Sequence, residues 1–134
     1  YEIAQCLVGS EMCIRDSIPA LQGKLTGTSM RIPSADVSIV DLTCRLEKAA
    51  TYDEICAAVK AAAEGPMAGV VEYVDDEVVS SDFITDPHTS IFDAKAGLAL
   101  NDHFVKLMAW YDNEWGFSNK MLDLTRHIDS VRKA

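Results

Sequence analysis

Apolar and polar residues alternate from Asp36 to Glu47: Val40, Leu42, Cys44 and Leu46 fall on one side, Asp41, Thr43, Arg45 and Glu47 on the other. A period of two is that of a strand with one face buried, so this segment predicts a half-buried strand. Leu25 to Ile32 is also β-rich and stops at Pro33, which favours extended geometry in the residue before it. A strand is expected there, with Arg31 near its end. At Thr51 the pattern changes. Thr51-Tyr-Asp-Glu54 has the form of a capping box, and Ile55, Val59 and Ala62 then mark one face of a helix that Gly65-Pro66 should end. Ile18 to Gly23 reads as a loop, with Pro19 and Gly23 as breakers.

The second half predicts mostly strands. Gly69 to Val74 is a short one, Asp75-Asp76 turns it, and Val78 to Phe83 forms another. Asp86-Pro87-His88 is a loop, with His88 read as a surface histidine lacking a paired carboxylate in local sequence. Ser90 to Ala94 and Leu98 to Leu100 flank Lys95-Ala-Gly97, a hairpin-like turn. His103 to Asp112 is the longest strand; apolar residues on both sides suggest a central strand covered on both faces. Beyond it Phe117, Met121, Leu124 and Ile128 form a helical stripe, which Asp112 or Asn113 can cap. Glu114 near the start and Arg126, Arg132 and Lys133 toward the end suit the helix dipole. The stretch Trp110 to Ser118 is therefore a strand running into a helix, where polar side chains meet unpaired N–H groups and a ligand site can form.

Composition narrows this picture. The 134 residues are 49% hydrophobic and 25% charged, ordinary for one globular domain. A net charge of -9 argues against nucleic acid as a partner, and no apolar run approaches the ~20 residues of a membrane span. Cys6, Cys13, Cys44 and Cys56 form no CxxC pair and have no histidine at zinc-finger spacing, so reduced, partly buried thiols are expected and no metal site. Cys44, on the apolar side of its strand, reads as a core residue. No Gly-rich phosphate loop of the GxGxxG or GxxxxGK[ST] kind occurs. Arg31 reads either as a solvated edge cation or as an anion clamp, because its planar fork suits phosphate. Tyr1 to Ser17 has no sustained period, and its run Cys6 to Ser17 resembles translated sequencing adapter. Residues 1–17 are thus expected to be a non-native leader.

Several segments carry a resemblance in the same order and at the same spacing. They are Ile18-Pro-Ala-Leu-Gln-Gly-Lys-Leu-Thr-Gly27, Arg31-Ile-Pro33, Asp36-Val-Ser-Ile-Val-Asp-Leu-Thr-Cys-Arg-Leu-Glu47, Phe92-Asp-Ala-Lys-Ala-Gly-Leu-Ala-Leu-Asn-Asp102 and Trp110-Tyr-Asp-Asn-Glu114. From about Ile18 onward the chain resembles the C-terminal part of the phosphorylating glyceraldehyde-3-phosphate dehydrogenases.

The resemblance implies an α/β fold: a mostly antiparallel or mixed sheet with helices packed on it, without the Rossmann domain. Residues 18–112 would form part of the catalytic domain, and 113–134 a C-terminal helix that packs on the nucleotide domain. It implies that Arg31 binds substrate phosphate or inorganic phosphate, and that Asn113 contacts the nicotinamide of NAD, with NAD against NADP left open. Phe117 stands where the family commonly has Tyr. The catalytic Cys of a Ser-Cys-Thr-Thr-Asn-type motif and its partner His have no counterpart in this chain, so no residue is assigned to catalysis and the chain alone is expected to be inactive. The implied whole is a cytoplasmic glycolytic homotetramer acting on glyceraldehyde 3-phosphate. The rival readings are an erythrose-4-phosphate dehydrogenase fragment and a stand-alone non-catalytic α/β oligomerisation or regulatory module.

Overall fold

The computed structural model describes residues 18–133 and divides into two compact units, Tyr1–Ser34 and Ala35–Ala134. The expected leader, 1–17, lies outside the described residues.

In the first unit Pro19–Leu21 forms one 3-10 turn, and Gly23 follows with φ +75. Leu25 to Ile32 is not a strand, contrary to expectation, and Met30 and Ile32 are exposed. β-Propensity reflects packing on a pleated surface, and this segment pairs with no described strand.

The second unit is a four-stranded mixed sheet with two helices. The strands are β1 (Ser38–Arg45), β2 (Val71–Val74), β3 (Ser90–Asn101) and β4 (Phe104–Tyr111), in the order β1-β4-β3-β2. β4 is antiparallel to both neighbours, whereas β2 runs parallel to β3. The helices are α1 (Tyr52–Glu64) and α2 (Trp115–Arg132). This is the mixed α/β arrangement the resemblance implies.

α1 begins as its sequence dictates. The Thr51 hydroxyl accepts from Glu54 N, and the Glu54 carboxylate accepts from Thr51 N at 2.8 Å. Gly65 then ends the helix. α1 covers the sheet face that carries Tyr73 and Phe92, whose rings stack 5.8 Å apart. The Tyr52 hydroxyl donates to Ala94 O at 2.8 Å; burial and the nearby Cys56 push its pKa up to about 12. On the opposite face Val37, Phe83 and Ile91 form the core, with Val74, Val78 and Trp110 packed against it.

Four expectations are corrected here. Val78 to Phe83 contains a 3-10 turn, Ser80–Phe83, in place of a strand. The Asp82 carboxylate accepts from Val79 N at 2.8 Å, a local bond that competes with sheet pairing. Lys95-Ala-Gly97 is not a hairpin turn. β3 runs straight through it, with its pairing to β4 shifting between Asp93 and Leu98. Asp93 Oδ1 takes the N–H groups of Lys95 and Ala96, both at 3.0 Å, so the chain bulges and does not reverse. A Cβ at Gly97 would overlap the Tyr52 hydroxyl and crowd the Lys106 carbonyl, which explains the glycine. Finally, β1 is the expected strand, but its apolar side is not covered: Val40 and Leu42 are 48% and 44% exposed. β1 is an edge strand, whereas α1 packs mainly on β2 and β3, and β4, although central, is only half-covered for most of its length.

Candidate functional site

The junction between β4 and α2 is organised by Asp112, which is 1% exposed. Its Oδ1 accepts from the N–H of Glu114 at 2.9 Å and of Trp115 at 2.7 Å, capping α2. Its Oδ2 accepts from Thr85 N at 2.8 Å, tying in the loop ahead of β3. Burial alone would raise the Asp112 pKa, but these three N–H groups favour the charged form and hold it below the usual carboxylate range. Asp112 is thus the cap; Asn113 is freed for another role. The start of α2 presses on the same loop: a Cβ at the buried Gly116 would run into His88 O.

Asn113 is exposed beside this anchor. The antiparallel register sets Ser38 opposite Tyr111, and the Ser38 hydroxyl donates to Asn113 Oδ1 at 3.1 Å. Among the described residues Asn113 Nδ2 has no hydrogen bond, so its two donors remain for another group. Arg31 belongs to the first compact unit and Asn113 to the second. Arg31 is exposed and makes no ion pair among the described residues.

Cys56 lies beside Tyr52 and Tyr73, whose pKa values it helps to raise. Cys44 is half-buried on β1. A concavity of about 550 Å³ lies at the other end of the sheet, lined by Arg45, Leu100, Asn101 and His103, away from Asn113.

His88 corrects the sequence reading. It has a carboxylate partner two residues away: its Nδ1 lies 2.8 Å from Asp86 Oδ1 and 3.3 Å from Glu72 Oε2. The Asp-x-His spacing could have signalled the first contact; the second depends on the parallel pairing of β2 with β3. Burial, then the Asp86 carboxylate, raise the Glu72 pKa, and His88 opposes them.

Comparison with known proteins identifies the family. Residues 8–113 match the family model described as glyceraldehyde 3-phosphate dehydrogenase, C-terminal domain. The chain is similar to cytosolic glyceraldehyde-3-phosphate dehydrogenase 3 of Zea mays, 55% identical over 132 residues, 98% of this chain and 39% of that protein. It is 58% identical over 123 residues to the glyceraldehyde-3-phosphate dehydrogenase of Colletotrichum lindemuthianum, 92% of this chain and 36% of that protein. Against the enzyme of the same name from Schistosoma mansoni it is 58% identical over 126 residues, covering 94% and 37% of the two chains. The chain therefore spans less than two-fifths of the length of these relatives.

Proposed function

The chain belongs to the family of the glyceraldehyde 3-phosphate dehydrogenase C-terminal domain, and on that premise we propose that it is part of an NAD-dependent enzyme oxidising glyceraldehyde 3-phosphate to 1,3-bisphosphoglycerate with inorganic phosphate. The observation that carries this reading is the family match together with the presentation of Asn113 at the β4–α2 junction.

Asn113 fits a nicotinamide carboxamide. Its Oδ1 is steadied by Ser38, its Nδ2 donors face no described partner, and the backbone beneath it is pinned by Asp112. Bound nicotinamide would supply the hydride acceptor. The part of Asn113 is orientation: an amide held at a fixed junction selects one rotation of a carboxamide and so one face of the ring. Arg31 would grip phosphate through its planar fork. The nucleophile and its base belong to sequence that this chain does not contain. Cys44 and Cys56 take neither role, because neither lies in the family's Ser-Cys-Thr-Thr-Asn context.

The intact enzyme is proposed to be a cytoplasmic homotetramer of glycolysis. The uncovered apolar residues Val40 and Leu42 of β1 support a further subunit on that side of the sheet. No helix among the described residues is long and apolar enough to cross a membrane.

The test joins residues Ile18–Ala134 to the N-terminal portion of the Schistosoma mansoni relative. The chimera should oxidise glyceraldehyde 3-phosphate with NAD and phosphate, whereas the 134-residue chain alone should not. Arg31→Ala should raise the chimera's KM for phosphate roughly 10–100-fold, the loss expected for a charge-assisted pair. A folded chimera without turnover would refute the proposal.

A further inference from the structure

We propose that Glu72, Asp86 and His88 form a binding site for a divalent transition cation, zinc by preference. One ligand atom from each of the three lies within 4.8 Å of both others, and His88 Nδ1 lies 2.8 Å from Asp86 Oδ1 and 3.3 Å from Glu72 Oε2. Zinc with bonds of ~2.0–2.2 Å needs its ligand atoms about 3.4 Å apart in a tetrahedron. The contacts of 2.8 and 3.3 Å at His88 Nδ1 are close to that spacing, so only small side-chain rotations are needed.

The backbone beneath the ligands is already fixed. Glu72 sits on β2 in register with Ile91 of β3. Asp86 and His88 lie in the loop entering β3, which is held by Thr89 N donating to Val70 O at 3.0 Å and by Gly116 packed under the His88 carbonyl. Two carboxylates meet one imidazole nitrogen here, a charge that a cation neutralises directly. The imidazole favours zinc over magnesium or calcium, which prefer all-oxygen sets. All three residues are half-buried, and an open concavity of about 380 Å³ lined by Lys60, Tyr73 and Asp75 adjoins Glu72 and His88, leaving an outer position for water. Bound zinc would fasten the loop to β2. The proposal does not depend on the proposed activity.

The test titrates the 134-residue chain with zinc alone, against a chromophoric chelator. One zinc per chain should bind, and Glu72→Gln and His88→Gln should each weaken it by about tenfold or more. His103→Gln and His127→Gln should leave binding unchanged. X-ray absorption of the zinc complex should show nitrogen and oxygen neighbours at ~2.0–2.2 Å and no sulfur near ~2.3 Å. Circular dichroism reports whether each variant folds; if His88→Gln does not, Glu72→Gln decides. Absence of zinc binding, binding indifferent to Glu72→Gln, or a sulfur shell from the cysteines would overturn the proposal and leave the cluster a structural ion pair only.

Discussion

Asp112 determines how the junction is built, because one buried carboxylate satisfies three backbone donors from two separate segments. Asp112→Ala would leave those N–H groups unpaired and uncap α2, a loss of about 2–4 kcal/mol measurable by urea unfolding at neutral pH. The pH dependence has a definite sign. The Asp112 pKa is lowered in the folded chain, so its contribution is complete above the value of an unfolded aspartate, ~3.9, and is lost as pH falls through the folded value. Between pH ~5 and pH ~2 the variant should therefore lose less stability than the parent; equal losses would show that Asp112 is not the group responsible. Sequence placed a cap at Asp112 or Asn113 but did not choose between them. The choice rests on Thr85, whose N–H arrives from 27 residues away and takes the second carboxylate oxygen. The grouping of Glu72 with His88 was hidden for the same reason: it depends on strand pairing, which no local pattern states.

Among the elements, those with local signals were legible. The capping box of α1 and the stripe of α2 are written in residues three and four apart, and both helices form where the spacing puts them. β1 and β4 likewise form where strands were expected, although their burial does not follow the pattern. The failures occur where a side chain diverts the backbone or a strand lacks a partner. Asp93 holds the bulge at Lys95–Gly97, Asp82 holds the turn at Ser80–Phe83, and Leu25–Ile32 joins no described sheet. The bulge gives a direct test. Gly97→Ala would push a methyl into Tyr52 and the Lys106 carbonyl, and should cost about 1–3 kcal/mol by thermal or urea unfolding. Leu98→Ala, at a 52% exposed position of the same strand, should cost less; the reverse order would mean that the close approach at Gly97 has been relieved.

α2 links this scale to the next. Its apolar stripe is uncovered: Phe117, Met121, Leu124 and Ile128 are all more than half exposed. We propose that this stripe packs on a nucleotide-binding domain, the role the resemblance implies for the terminal helix. The isolated chain should bind a hydrophobic dye, and Met121→Glu with Leu124→Glu should reduce the signal several-fold without loss of helix by circular dichroism. Unchanged dye binding would assign the exposed surface to the sheet instead, where Val40 and Leu42 are also uncovered.

At the scale of the whole molecule, the second unit is a mixed sheet with two helices, and among the described residues β1 and α2 carry exposed apolar side chains. We propose that these exposed apolar patches meet neighbours in a larger assembly. The family was legible from dispersed motifs, whereas the geometry that presents Asn113 was not, since Ser38 and Asn113 meet only through the β1–β4 register. Asn113 is proposed to orient the nicotinamide, and Asn113→Ala in the chimera tests this role most directly. Asn113 is exposed and does not cap α2, so folding should be unaffected. Removing neutral hydrogen bonds should lower kcat/KM for NAD by roughly 3–10-fold while KM for phosphate stays the same. A folded Asn113→Ala chimera whose kcat/KM for NAD equals that of the parent would contradict the account.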